Sequence, residues 1–143
     1  VSSTPARGML DTSTVILLGR LADAGDLPDE AVISTVTLAE LSVGPHVART
    51  TQERAARQAH LQQAESDFEP IVFDAAAARA FGRVAAALRS AGRKPAARAY
   101  DALIAAAAIA EAIPLYTCNP GDFLDIDELD VRAVPHPDDT PAR

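Results

Sequence analysis

The chain has 143 residues, 48% of them hydrophobic, with 13 Lys and Arg against 20 Asp and Glu, one Cys and no Trp, for a net charge of -7. That length suits one domain able to bury its own core. The net charge argues against a globally basic nucleic-acid clamp, and the single thiol, Cys118, excludes an internal disulfide framework or a Cys-based zinc cluster.

Residues 1–8 lack the apolar core of a signal peptide, and no run approaches the ~18 apolar residues of a membrane span. The nearest, Ala102–Ile113, reads as a buried helix. The expectation is a cytoplasmic globular domain. Its charge is segregated: residues 1–44 carry a net -4, residues 45–100 a net +4 and residues 101–143 a net -7. The basic middle, with Arg49, Arg54, Arg57, Arg79, Arg83 and Arg89, forms either the wet sides of two helices or a local anion-binding face.

In chain order, Met9-Leu10 is a short apolar step ending at Asp11, and Thr12–Leu21 suits a first helix. Ala31–Ser34 reads as a second strand and Thr37–Val43 as a short helix stopped by Gly44-Pro45. Thr50–Ser66 is an exposed amphipathic helix. Ile71–Phe73 is a third strand running into Asp74, an N-cap for a long helix over Ala75–Arg89 that Gly92 ends. Pro95 suits the first turn of the next helix, which runs to about Ala112 before Pro114. Leu115–Cys118 is the fourth strand, Asn119-Pro120-Gly121 a turn, and Val131–Val134 a fifth strand before a Pro/Asp tail. Short apolar strands alternating with helices indicate an α/β domain whose mainly parallel sheet is covered on both faces. Ligands of such sheets sit outside the carboxyl ends of the strands, where strand order reverses.

Acids near that edge are therefore the informative ones. Asp11 follows the first strand and either caps the next helix or faces the crevice. Glu40 lies among Leu38, Ala39 and Leu41, where a buried charge needs a partner or a metal unless it points to water. Asp101, in the second turn of its expected helix, aligns with Ile104, Ala105, Ala108 and Ala112 on the stripe facing the sheet. Asp122 follows the fourth strand across the Asn-Pro-Gly turn. Clustered carboxylates repel, so one holds a proton or a cation binds. All-oxygen donors favour Mg²⁺ or Mn²⁺ over zinc. His46, His60 and His136 show no ligand spacing and read as surface residues.

Four motifs then stand in order: Met-Leu-Asp11-Thr-Ser13, Ser34-Thr-Val-Thr-Leu-Ala-Glu40-Leu with Gly44, Arg98-Ala-Tyr-Asp101, and Thr117-Cys-Asn119-Pro-Gly-Asp122-Phe123. With them the sequence resembles the PIN-domain ribonucleases, most closely the VapC-type toxins of type II toxin–antitoxin pairs. The resemblance spans a domain over 9–134, leaving an N-terminal extension 1–8 and a C-terminal tail 135–143. It implies a three-layer α/β/α fold with a mainly parallel five-stranded sheet of order 3-2-1-4-5, and a Mg²⁺-dependent endoribonuclease, Mn²⁺ being an alternative ion. It implies that Asp11, Glu40, Asp101 and Asp122 are the catalytic, metal-holding acids, with Asn119 assisting and Ser13 and Thr117 as local support. RNA attraction falls to Arg93, Lys94 and Arg98. A homodimer and a VapB-type antitoxin covering the acidic site are the implied partners, with Leu17, Leu18 and Leu21 lining a groove or simply packing into the core. Two other functions fit an α/β domain with clustered acids: a degenerate PIN scaffold that binds RNA or protein, and a receiver-like phosphoacceptor. The second wants paired acids after the first strand and a Lys after the last, whereas Asp11 has no acidic neighbour and the lone Lys is Lys94.

Overall fold

Met9 and Leu10 face opposite ways from one short strand, and that alternation organises the molecule. The structure, a computed structural model, describes residues 6–21 and 24–139. Strand β1 (Arg7–Leu10) leads into helix α1 (Thr12–Leu17) and a 3₁₀ turn at Leu18–Arg20. After a second turn at Ala24–Asp26 come β2 (Glu30–Val32), α2 (Thr35–Val47), α3 (Thr51–Asp67) and α4 (Ala75–Ser90). A 3₁₀ turn at Pro95–Arg98 precedes α5 (Ala99–Glu111), then β3 (Leu115–Thr117), a turn at Pro120–Phe123 and β4 (Val131–Ala133). The four strands are parallel, in the order β2-β1-β3-β4.

Side chains of successive strand residues feed two cores, as the period of two requires. Met9, Val32 and Leu115 pack with Ala80, Val84 and Leu88 of α4 and with the buried face of α5. Leu10, Ile33 and Tyr116 pack on the other face with Leu41 of α2 and Ala64 of α3, joined by partly buried Leu17, Leu18 and Leu21. Those three leucines thus pack against the core. The result is the expected three-layer α/β/α arrangement. Helix α5 is apolar almost all round, with Ala102 and Ile104–Ala108 buried, which is the signature of a helix enclosed by its neighbours.

The third strand is the main departure. Ile71 makes one parallel bridge to Ser34, with its N–H on the Ile33 carbonyl at 2.9 Å, and the ladder stops there. The Phe73 N–H is taken by the Thr35 hydroxyl and Asp74 turns to cap α4, so no donors continue the ladder; Val72 stays 69% exposed. That single bridge lies beyond β2, so the order 3-2-1-4-5 survives with its first strand reduced to one residue.

Other boundaries also differ from the sequence reading. Helix α2 runs through Gly44-Pro45 to Val47, because a proline in the last turn forfeits one hydrogen bond while its ring keeps a helical φ, and Pro45 is buried. The first helix ends at Leu17 rather than Leu21, tightening to 3₁₀ geometry. The helix expected from Pro95 begins as a 3₁₀ turn, so α5 proper starts at Ala99 and Asp101 lies in its first turn, not its second. Strand β1 begins at Arg7, within the expected extension; residues 1–5 of that extension and 140–143 of the tail lie outside the described residues. Two expected caps are present. The Asp74 Oδ1 accepts from the Ala77 N–H at 2.9 Å, and Gly92, at φ 78°, ends α4 with the Arg93 N–H on the Leu88 carbonyl.

Candidate active site

Strand order reverses between β1 and β3: the chain leaves β1 toward β2 on one side and reaches β3 on the other. The crevice at their carboxyl ends is where an open parallel sheet exposes backbone ends to a ligand. Asp11 is the residue directly after β1, and Cys118 and Asn119 follow β3.

Asp11 is 3% exposed and closes both readings the sequence left open, since it caps α1 and lines the crevice. Its Oδ1 accepts from the Thr14 hydroxyl and, at 3.3 Å, from the Thr14 N–H. Its Oδ2 accepts from Thr117 Oγ1 at 2.9 Å and Ser13 Oγ at 3.2 Å. The hydroxyl directions are forced. Thr14 Oγ1 receives the Cys118 N–H at 3.0 Å, Thr117 Oγ1 the Asn119 N–H at 2.9 Å, and Ser13 Oγ the Asn119 side-chain amide at 3.0 Å. Each hydroxyl has one proton, so having accepted from those groups it donates to Asp11. The Asp11 carboxylate is thereby fixed by β1, α1 and the end of β3 together.

Glu40 projects from α2 and is half-buried. Thr12 Oγ1 donates to its Oε1 at 2.6 Å, and that hydroxyl lies 3.2 Å from the buried Thr37 hydroxyl. Asp101 comes from the first turn of α5 and Asp122 from the turn after β3. Arg98 stands between them, its Nη1 2.8 Å from Asp122 Oδ1 and 3.7 Å from Asp101 Oδ2. Burial, then the carboxylates of Asp122, Glu40 and Asp11 in that order, push the Asp101 carboxyl up to about 6, with Arg98 opposing them. One titration therefore feels all four acids, which arrive from four separate elements.

The donor chemistry fits a hard divalent ion, being carboxylate oxygen throughout with no imidazole among the four. Among the described residues, though, no three Asp, Glu, His or Cys side chains already stand close enough to hold one ion together. Glu40 is held by Thr12 and Asp122 by Arg98, so the acids are tethered around the crevice rather than converged in it. Cys118 is buried, and its thiol is pushed up by burial first and by Asp11 besides, against the reactive thiolate direction. His46 is exposed, and His60 and His136 are half-buried away from the acids.

The structure gathers Asp11, Ser13, Asn119 and Thr117 into one network, and Arg98, Asp101 and Asp122 into a second beside it. Arg98 faces the acids as their counter-ion rather than standing free for a phosphate. Arg93 and Lys94 line a cavity alongside. Thr12, Thr14 and Thr37 escaped the sequence reading. For Thr12 and Thr14 the only signal was the run Asp11-Thr-Ser-Thr14 at a strand end, where hydroxyls have backbone groups to bridge; Thr37, on α2, lies outside that run.

Comparison with known proteins agrees with the fold. Residues 9–129 match the PIN domain family. The chain is 41% identical over 129 residues to Ribonuclease VapC5 of Mycobacterium tuberculosis (strain ATCC 25618 / H37Rv), covering 89% of this chain and 93% of that protein. Among solved structures it resembles VapBC-5 of Mycobacterium tuberculosis, a member of the VapBC family of toxin–antitoxin systems, at 35% identity and a TM-score of 0.73, over 91% of this chain and all of that one. VapBC-1 from nontypeable Haemophilus influenzae shares the fold, with a TM-score of 0.70 at 22% identity, covering 89% of this chain and 97% of that one. The chain belongs to the PIN-domain family. Within it, the chain is a homologue of the VapC ribonucleases.

Proposed function

We propose that this protein is a divalent-metal-dependent endoribonuclease toxin of the VapC type, hydrolysing phosphodiester bonds in RNA and neutralised by a cognate VapB-type antitoxin. The observation that carries the proposal is the placing of Asp11, Glu40, Asp101 and Asp122 around the switch-point crevice from four separate elements, with Arg98 paired to two of them and Asp101 repelled by the other three. The ribonuclease relative supports RNA as substrate, and the toxin–antitoxin complex at 35% identity supports the antitoxin. The reading includes a homodimer and a cytoplasmic location. Among the described residues, no helix is long and apolar enough to cross a membrane.

In this reading Asp11, Asp101 and Asp122 hold Mg²⁺ or Mn²⁺, with Glu40 binding directly or through water. The bound ion supplies Lewis-acid stabilisation of the phosphodiester under attack and makes water a better nucleophile. The protein's own part is positioning. The three hydroxyls fix Asp11, Thr12 aims Glu40, and Asn119, anchored by Ser13, offers its amide beside them. Asp101, whose carboxyl is raised in the metal-free chain by burial and by repulsion from Asp122, Glu40 and Asp11, would be kept ionised by a cation held beside it. Arg98 neutralises Asp101 and Asp122 in the metal-free chain, and a cation held by these acids would compete with it for them.

The direct test is cleavage of RNA in Mg²⁺ or Mn²⁺ by the wild-type chain and by Asp11→Asn, Asp101→Asn and Asp122→Asn. Wild-type cleavage with each variant reduced at least ~100-fold is expected from loss of electrostatic and metal-holding groups. Equal cleavage by all four proteins would sink the proposal. The Arg98–Asp122 ion pair favours one other reading, a scaffold in which arginine permanently replaces the ion. That scaffold would bind RNA or a protein and cut nothing at any metal concentration.

A further inference from the structure

Beside the acids lies a cavity of about 400 Å³ that their chemistry does not use. Its apolar floor and rim are Leu88 from α4, Ala102 from α5, and Leu124 and Ile126 from the loop after the 3₁₀ turn at Pro120–Phe123. Arg93 and Lys94 also line it, and Arg98, with the Asp122 and Asp101 carboxylates 2.8 Å and 3.7 Å away, lines the part shared with the candidate active site. Leu124 is 53% exposed although three other apolar residues lie beside it in this cavity. The following residue, Asp125, holds a left-handed φ of 68° and pairs with Arg93 at 2.5 Å, which fixes the loop with Leu124 at the rim. Lys94 is exposed, and among the described residues no ion pair is recorded for it.

We infer that this cavity receives one unpaired nucleobase of a single-stranded RNA, next to the phosphate held over the acids. The inference rests on the nuclease reading and adds to it where the substrate's specificity is set. The physical case has three parts. The volume falls in the range of small-molecule sites, and Leu88, Ala102, Leu124 and Ile126 give it an aliphatic part beside its charged residues. Aliphatic side chains next to the exposed Lys94 complement a flat base attached to a phosphate; Arg93 and Arg98 are already paired, with Asp125 and with Asp122 and Asp101. Because Asp101 and Asp122 bound both spaces, a nucleotide whose base fills the cavity has its backbone beside the carboxylates. Paired RNA cannot reach such a slot, since its bases are stacked and its deep groove is closed to side chains.

The test walks a single abasic nucleotide through a short single-stranded RNA and measures binding to Asp11→Asn protein in Mg²⁺ by fluorescence anisotropy. Wild-type protein in EDTA is the second measurement, in case that variant folds poorly. One position is expected to lose about tenfold in affinity, in line with the contribution of a single held base, while the others change little. The positional dependence should vanish in Leu124→Asp and persist in Leu124→Met, both at a half-exposed site that tolerates exchange. No positional effect, an equal loss at every position, or an effect that survives Leu124→Asp would overturn the inference. A cavity built instead for an apolar side chain of a protein partner gives the first of those results. A clear positional effect without RNA cleavage by the wild type would leave the base site standing and remove the nuclease reading.

Discussion

Thr14 and Thr117 each spend one hydroxyl twice, accepting a backbone N–H from the end of β3 and donating to Asp11. Removing either oxygen therefore unsatisfies a backbone donor and loosens the carboxylate together. For Thr14→Val, which keeps the shape of a fully buried side chain, we predict a loss of about 2 kcal/mol in urea unfolding, since the Cys118 N–H is left buried and unpaired. RNA cleavage should fall with it by about tenfold or more, because a catalytic group displaced by a fraction of an ångström loses its alignment. Asp101 gives a prediction with a definite sign. Its carboxyl is raised in the folded chain to about 6, so the fold binds this proton more tightly than the unfolded chain does. That contribution is complete below the ordinary carboxyl value and is lost as pH rises through about 6. Metal-free protein should consequently lose stability between pH 4 and pH 7 through this group. Asp101→Asn should flatten that slope and gain on the order of 1 kcal/mol at pH 7, after discounting for a side chain partly open to water. Urea midpoints at both pH values, without divalent ions, would check it; an unchanged slope refutes the assignment.

At the scale of elements, what was legible depended on whether the deciding interaction was local. The Asp74 cap and the Gly92 stop could be read because each acts within its own turn. Asp74→Ala should therefore cost about 1 kcal/mol, measured by thermal unfolding, as loss of an N-cap usually does. The passage of α2 through Pro45 and the shrinkage of the third strand to Ile71 were not legible. One depends on the packing of a buried proline and the other on a hydroxyl of Thr35 competing for the Phe73 N–H, and neither leaves a periodicity in the sequence. The same holds within the site. Asp11 and Asp122 could be placed from strand ends, and Asp101 from its position on an apolar helix. The ion pair that ties Arg98 to Asp122 spans 24 residues, and no motif spacing foretells it. Gly8 is another distant effect, since a Cβ there would lie 2.5 Å from the buried ring of Tyr116 on the neighbouring strand β3. Gly8→Ala should destabilise the β1–β3 pair by roughly 1–3 kcal/mol through overpacking, and the unfolding midpoint reads it.

For the molecule as a whole, a net charge of -7 looked adverse to an RNA-binding enzyme. Grouping four of the acids around one crevice changes that balance locally, because a divalent ion held there, as proposed, would offset two of their charges beside Arg98, where a phosphate must lie. Mg²⁺ that binds only the folded chain should raise the thermal midpoint, by about 4 °C at ten times its dissociation constant for a protein of this size. An unshifted midpoint at millimolar Mg²⁺ would count against the ion site. The span of the Asp11 network has a consequence for how the protein is born. Asp11 and its donor Thr117 are 106 residues apart, and Asn119 is equally far from Ser13. Synthesis proceeds from the amino terminus, and a domain folds as a unit once it has emerged. A nascent chain thus carries Asp11 through more than a hundred residues of synthesis before Thr117, the distant one of its donors, has been made. The network closes only when β3 inserts beside β1, so the Asp11 carboxylate is not held from both sides of the crevice until that strand has emerged from the ribosome.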